Sequence, residues 1–316
     1  MKKIACATAA AASMLAVSAI SYAAAPSGIV IMGKPIQSDA AWIVKNGRVL
    51  VPLRAVTEPL GITAAWNAKS KTATIGKWSE TVKLTVGQSI ASYVKANQYN
   101  TMKLDASVTL VHDRVYVPLR FLSQFYGYRV EAQADTVNVT SPFSRNEQDI
   151  LHHGDLGKAR QFVMANAWKH AHYAKPPIEY LNEIEGFEST FFFPLGEANR
   201  FFLISDSMVS FYELQGEFFV ITWQAQIPVG KKDTDELFMD NQVTKATGAR
   251  PVIDGPMFFY RKSGIVNVTN TTAGTIGADG RKTLIGSKSV VGDEVKEQSG
   301  SLALTLPDET RAELNP

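Results

Sequence analysis

A six-residue phrase occurs twice in this sequence, 66 positions apart. Residues 49–54 read Val-Leu-Val-Pro-Leu-Arg, and residues 115–120 read Val-Tyr-Val-Pro-Leu-Arg. A glycine follows each copy at the same distance, Gly61 in the first and Gly127 in the second. Such close repetition predicts a duplicated structural unit. The first half of the chain is therefore expected to fold from two related blocks.

Each copy of the phrase predicts a strand followed by a short helix. Its two valines stand two positions apart, which is the period of side chains on one face of a strand. Pro52 and Pro118 come next, and proline suits the first position of a helix because its missing N–H is not needed there. Gly61 and Gly127 stand where a left-handed residue can end that helix. We expect strand, helix and sharp stop in both copies.

The phrase ends in an arginine in both copies, Arg54 and Arg120. Either arginine could bind an anionic ligand, because a guanidinium presents several N–H donors. Either could instead lay its aliphatic stem over the sheet and pair with an acidic side chain. We expect the second arrangement, in which both arginines are structural.

Further motifs between Gly28 and Thr140 extend this pattern. They are Gly33-Lys34-Pro35-Ile36, Asn46-Gly47-Arg48, Trp66-Asn67 with Lys71-Thr72, and Val130-Glu131 with Asp135-Thr136-Val137. Together with the repeated phrase, they resemble the copper amine oxidase N-terminal-like domain, a stalk module of exported bacterial proteins. The resemblance implies a twisted antiparallel sheet wrapped on short helices. Two positions depart from it: Pro59 interrupts the first helix, and Ala132 stands where the second unit would have tryptophan.

The family name does not predict amine oxidase activity here. In the namesake enzymes, a separate and much larger domain carries a modified tyrosine and three copper-binding histidines. This sequence has no Asn-Tyr followed by an acidic residue, and about 175 residues follow position 141, too few for that domain. We therefore expect a non-catalytic module.

Residues 1–25 have the features of a secretory signal peptide. Two lysines begin the segment, an alanine-rich apolar stretch follows to Ile20, and small residues suited to cleavage precede Pro26. The alternative is a retained membrane helix. We expect cleavage near Ala23 to Ala25, which would place the mature protein outside the cytoplasm, secreted or in the cell envelope.

The composition excludes several classes of partner. Lys2 and Lys3 are the only charges before Pro26, so the remaining chain has 30 basic and 30 acidic residues. A neutral chain does not favour nucleic acid as a partner. No later segment reaches the ~20 apolar residues of a transmembrane helix. Because Cys6, the single cysteine, lies in the predicted leader, we expect neither disulfide nor thiol chemistry, and we expect no cofactor.

The second half predicts an α+β domain. Ser141 to Arg145 reads as a boundary, so the predicted domains are 26–141, 145–270 and a polar C-terminal segment at 271–316. Residues 147–172 have an approximate 3.6-residue apolar period, and the following segments are strand-like. A helix followed by an antiparallel meander is an α+β order. By fold-level analogy alone, a cystatin-like sheet cradling its helix is the expected architecture.

Four histidines bracket the helical region of the second half and are candidate metal ligands: His152, His153, His170 and His172. On a helix, residues two positions apart point about 200° away from each other, so His170 and His172 could not share an ion there. We favour solvated or core-edge histidines and predict no metal site.

Two acidic clusters could supply the paired carboxylates of a glycoside hydrolase. They are Glu183, Glu185 and Glu188, and an acidic loop with Asp233, Asp235 and Glu236. Neighbouring positions in the sequence do not establish the required separation in space. We favour solvated acidic edges.

Nine of the sixteen phenylalanines lie in short runs at 191–193, 201–202, 218–219 and 258–259. Adjacent residues of a strand face opposite sides, so these runs make both faces of a sheet apolar. Core packing accounts for one face. The other face could be a partner surface or an apolar pocket.

We therefore expect an exported envelope protein whose stalk module presents a second domain for binding or structural display. The expected partner is a wall polymer or another envelope protein. One alternative is a hydrolase of envelope material with catalytic acids between residues 145 and 270. Another is a homo-oligomer that covers its second apolar face by self-association.

Overall fold

β-Strands dominate this chain, with 49% strand and 15% helix. The structure is a computed structural model that describes residues 28–38, 40–45, 47–133, 136–179, 186–228 and 234–312. The predicted signal peptide lies outside these ranges. The predicted α+β class is confirmed only in a coarser form: a mostly β chain with several antiparallel sheets and few helices.

The first half, residues 28–140, contains short strands and two short helices. The strands are β1 (Gly28–Ile31), β2 (Lys34–Pro35), β3 (Ile43–Lys45), β4 (Arg48–Pro52), β5 (Thr63–Asn67), β6 (Thr72–Lys77), β7 (Glu80–Thr85), β8 (Ile90–Lys95), β9 (Gln98–Lys103), β10 (Thr109–Val111), β11 (Arg114–Pro118), β12 (Arg129–Gln133) and β13 (Thr136–Thr140). The helices are α1 (Leu53–Thr57) and α2 (Phe121–Tyr126).

The second half, residues 141–312, begins with helices and continues as one large sheet. The helices are α3 (Arg145–His152), α4 (Leu156–Asn166) and α5 (Thr234–Met239). The strands are β14 (His172–Tyr173), β15 (Phe187–Pro194), β16 (Arg200–Ser205), β17 (Met208–Gln215), β18 (Phe218–Gln226), β19 (Lys245–Thr247), β20 (Met257–Ile265), β21 (Val268–Ile276), β22 (Lys282–Val291) and β23 (Glu294–Gly300). Among the described residues, every helix is too short or too polar to cross a membrane.

The two copies of the repeated phrase lie side by side. β4 and β11 pair antiparallel, with Val51 opposite Val117 and Leu50 opposite Pro118. Each strand also pairs with its own preceding strand, β3 with β4 and β10 with β11. The resulting strand order β10-β11-β4-β3 places the two copies about an approximate two-fold axis. Both central valines are fully buried, so the copies build one shared core.

The helices that follow the two copies differ in detail. α1 passes into a 3-10 turn over Glu58–Leu60, because Pro59 has no N–H for a continuing α-helix. α2 starts only at Phe121, three residues after Pro118, the predicted first helical position, since positions 119 and 120 form a turn. Both stops are left-handed glycines, Gly61 with φ 63° and Gly127 with φ 83°.

Long-range pairing closes the first half into one body. β1 pairs in parallel with β13, so the first and last strands of residues 28–140 are neighbours. β5 to β9 form a separate antiparallel sheet in sequence order. Side chains of α1 and α2, such as Val56 and Leu122, pack in the common core with β1, β6, β7 and β13.

The sheet of the second half has helices on both faces. Its strand order is β14-β18-β17-β16-β15-β20-β21-β22-β23, with β19 beside β18. α3 and α4 contribute Leu151 and Val163 to the core on one face. α5 contributes Leu237 and Phe238 to the core on the other face.

The structure does not support the predicted boundary at residue 270. That position lies inside β21, and residues 271–300 continue the same sheet through β22 and β23. These strands were not predicted from the sequence, because their exposed side chains are polar and rich in threonine and serine. The segment that follows also packs on the domain, with Leu302 and Leu304 against the core next to α3 and α4.

Candidate binding groove and the junction between the halves

A groove of about 550 Å³ lies on the first half, beside the first copy of the repeat. The start of α1, strand β5 and the hairpin turn before β11 form its walls. The exposed side chains on these walls include Trp66, which is 40% exposed, and the exposed Arg54. Further polar side chains in the groove are Gln37, Ser38, Glu58 and Asp113.

The two arginines of the repeat have different surroundings. Nη1 of Arg120 lies 3.2 Å from Oδ2 of Asp105, and Nε of Arg48 lies 3.8 Å from the same oxygen. Arg120 therefore has the acidic partner expected of a structural arginine. Arg54 lies in the groove and has no ion pair with the described residues.

The two halves share a packed junction. Phe218 and Val220 of β18 belong to the core of the first half. The ring of Phe218 meets Tyr128 edge-on at 4.8 Å and Trp78 at 5.6 Å between centroids. The carbonyl of Tyr173 accepts hydrogen bonds from the Ser79 N–H at 2.9 Å and the Ser79 hydroxyl at 2.6 Å. This junction explains how a module and a second domain form one body here.

A buried carboxylate and a buried imidazole meet at the centre of the junction. Nδ1 of His172 lies 2.8 Å from Oε2 of Glu80, and both side chains are buried. Lys95 Nζ lies 3.8 Å from the same oxygen, and the ring of Trp78 stacks on the imidazole at 4.3 Å. Burial lowers the pKa of His172 below 6.5, although the hydrogen bond to Glu80 opposes that shift. A neutral His172 can still donate its Nδ1–H to Glu80.

The structure does not bring the four candidate histidines together. His152 and His153 lie at the end of α3, with ring centroids 6.2 Å apart, whereas His172 is buried at the junction. The side chain of His170 lies outside the described part of the chain. Among the described residues, no group of three or more histidine, cysteine or acidic side chains could hold a metal ion.

Two of the candidate acidic residues, Glu188 and Asp235, lie in the described part of the chain and form ion pairs with basic side chains. Glu188 Oε1 lies 2.7 Å from Arg261 Nη2. Asp235 is buried, with Lys282 Nζ at 2.9 Å and Arg261 Nη1 at 3.5 Å. The other candidates, Glu183, Glu185, Asp233 and the side chain of Glu236, lie outside the described residues. Asp235 belongs to α5, so the predicted acidic loop is in part a helix that covers the sheet.

The chain itself covers both apolar faces of the large sheet. Phe191, Phe193 and Phe201 pack on the side of α3 and α4. Phe192 and Phe202 pack on the side of α5, with the ring of Phe202 4.9 Å from that of Phe238. The alternative that these runs offer a second face to a partner or a pocket is therefore not supported, because α5, whose first residues were expected to form a loop, covers that face.

A buried arginine fixes the end of the chain to the second half. Arg160 of α4 uses all its N–H donors, on Glu309 and on the carbonyls of Pro194, Glu197 and Leu304. Glu309 also accepts hydrogen bonds from the backbone N–H groups of Gly196 and Leu306. The sequence contained no local signal for this contact, because 149 positions separate Arg160 from Glu309.

Comparison with known families finds a match in the first half of the chain. The family model of the copper amine oxidase N-terminal domain matches residues 30–141. The resemblance noted in the sequence is thus confirmed, and the second half has no family match. This N-terminal domain is a non-catalytic module.

One relative is a protein named "Protease inhibitor" from Brevibacillus choshinensis. It is 32% identical to this chain over 123 residues. The aligned region is 39% of this chain and 36% of that protein, so the chain spans about a third of the relative's length.

Proposed function

We propose that this protein is a non-catalytic binding protein of the cell envelope, acting outside the cytoplasm. The roles of the two halves are reversed from the expectation that the module presents the second half. In this proposal the copper amine oxidase N-terminal module itself binds a wall polymer through its groove, and the second half stabilises and displays the module. The groove carries the proposal, because a concave site with an exposed tryptophan and an arginine that forms no ion pair with the described residues has the composition of a ligand site.

Two further observations support an exported binding role. Residues 1–25 have the composition of a secretory leader. The packed junction joins the module to the second half, with Phe218 and Val220 of the second half inside the core of the module. A site on a rigid scaffold binds with less loss of conformational entropy than a site on a flexible stalk.

Inhibition of a protease is a second candidate, favoured by the relative that bears that name. The aligned 123 residues are close in length to the 112 residues that the family model matches, so the similarity can reside in the module alone. A titration of trypsin and subtilisin with the purified protein tests this candidate. Stoichiometric loss of protease activity would favour it over polymer binding.

The described part of the chain contains no located site for the hydrolase alternative. The described acids that suggested it, Glu188 and Asp235, are held by Arg261 and Lys282 in ion pairs. A cystatin-like second half stays a prediction as well. It is supported by the sequential meander β15 to β18 with α4 on one face.

The test is retention on insoluble cell-wall material. The secreted protein is mixed with purified wall sacculi, sedimented and washed, and the supernatant is assayed for released sugars. We expect saturable retention without release of soluble fragments. Protein that stays entirely in the supernatant would refute wall-polymer binding, and released fragments would indicate the hydrolase. A sizing profile of the same sample tests self-association.

A further inference from the structure

The groove lies beside the first of two sites that the repeat makes equivalent. Positions 66 residues apart correspond, so Trp66 corresponds to Ala132 and Arg54 to Arg120. Strands β5 and β12 confirm this register, because Thr63–Asn67 and Arg129–Gln133 are also 66 positions apart. Ala132 is exposed in its strand, as Trp66 is. The fold therefore does not require a tryptophan at this position.

Small residues open the groove in the first copy. Ala55 lines it, whereas the corresponding Phe121 is fully buried in the core. Ala65 also lines it, whereas the second copy has the larger Glu131. At these two positions the groove is thus lined by smaller side chains than those at the corresponding positions of the second copy.

The hairpin turn at the edge of the groove also differs between the two copies of the repeat. His112 and Asp113 have φ of 45° and 60°, in the left-handed region that glycine adopts most readily and that asparagine, aspartate and histidine adopt more often than other residues. The first copy has Gly47 where the second has Asp113, a side chain that lines the groove. A carboxylate is therefore presented to the groove from a position where glycine would fit the backbone better.

The charges of the groove do not favour a simple anion. Arg54 and Arg114 are balanced by Glu58 and Asp113 in the same lining. The groove has an aromatic ring next to both hydrogen-bond donors and hydrogen-bond acceptors. A ligand that matches has apolar C–H groups on the face of a ring and hydroxyl or amide groups at its edge. Sugars have this construction.

We propose that the groove is a saccharide-binding site in which a sugar ring stacks on Trp66 and its polar edge is held by Arg54 and Asp113. This inference rests on the proposed function and names the class of polymer that the module binds. The volume of about 550 Å³ falls in the range of small-ligand sites, roughly 300–1,000 Å³. It suits a few residues of a glycan chain and not an extended protein surface.

The test is isothermal titration of the purified secreted protein with three linear tetrasaccharides, of N-acetylglucosamine, glucose and mannose. We expect at least one to bind, Trp66→Ala to weaken that binding at least about tenfold, and Arg54→Ala to weaken it measurably. Trp168→Ala is the matched control, because Trp168 is also exposed, at 62%, and does not line the groove. The second control is Arg120→Ala, the corresponding arginine in the other copy.

Equal affinity of the wild type and Trp66→Ala would overturn the inference, as would no binding of any tetrasaccharide. Binding of an acidic peptide in place of the sugars would overturn it too. Retention of the same variants on wall sacculi separates the two proposals. If Trp66→Ala is retained as well as the wild type, wall binding stands and the saccharide site does not. If the wild type is not retained, wall binding itself fails.

Discussion

The substitution Glu309→Ala tests how firmly the end of the chain is fixed to the second half. Glu309 Oε1 lies 2.6 Å from Nη2 of Arg160, and Oε2 lies 2.9 Å from Nη1. Both side chains are almost fully buried. Burial alone would raise the pKa of Glu309, but Arg160 and the backbone N–H groups of Gly196 and Leu306 outweigh that effect, so its pKa is lowered.

The expected cost of Glu309→Ala is about 3–5 kcal/mol of unfolding free energy, the usual loss when one partner of a buried ion pair is removed. After the substitution, the guanidinium keeps its carbonyl partners at Glu197 and Leu304, but its charge has no counterion. Two backbone N–H groups lose their acceptor as well. Replacing both partners, as Arg160→Met with Glu309→Leu, should cost much less, because no charge then stays buried.

Urea denaturation followed by circular dichroism measures these losses. The matched control is Glu197→Ala, which breaks the pair between Glu197 and Arg200, bidentate at 2.7 and 2.6 Å. Arg200 is 43% exposed, so that pair should contribute only about 0–1 kcal/mol. A Glu309→Ala protein that is no less stable than the control would refute the role of the buried pair.

Three further predictions concern the junction and the repeat. Phe218→Ala should lower the unfolding free energy by about 3–5 kcal/mol in the same assay, because a large aromatic side chain is removed from the core shared by the halves; a loss below about 1 kcal/mol would contradict that shared core. Burial keeps the pKa of His172 below the 6.5 of an unfolded histidine, so unfolding takes up a proton and the protein loses stability as the pH falls below 6.5. His172→Asn should flatten this dependence of the unfolding free energy on pH between about 6.5 and 5. An unchanged slope would count against a buried, neutral His172. Gly127→Ala should cost about 1–2 kcal/mol through its φ of 83° alone, since a Cβ there contacts nothing within 4 Å; no measurable loss in a thermal melt would argue against a left-handed stop.

The repeat allowed much of the first half to be predicted. The two Val-x-Val segments are strands, as the alternating pattern indicated, and Gly61 and Gly127 are left-handed. The pairing of these two strands in one sheet was not part of the prediction. The pairing of β1 with β13 was not predictable, because no local pattern selects a strand partner more than a hundred positions away.

The second half was harder to predict because its polar strands and its covering helix lack a clear apolar period. β23 is exposed along its whole length, so no alternation marks it as a strand. α5 contains Asp235, whose partners Lys282 and Arg261 come from β22 and β20. No local pattern indicated that these charges meet, because the three residues lie far apart along the chain.

The groove could have been found by comparing the two copies position by position. Trp66 against Ala132 and Ala55 against Phe121 show where the copies diverge at otherwise equivalent sites. The different surroundings of Arg54 and Arg120 could not be read from the sequence. Asp105, the partner of Arg120, lies outside both copies of the phrase.

Hydrogen exchange of the purified protein, with and without saturating wall glycan fragments, is the most direct test of ligand binding by the module groove. We expect slower exchange in the residues that line it, around 52–66 and 112–115, with little change in β15 to β23. Protection confined to the second half, or absent from the groove at saturation, would contradict the assignment.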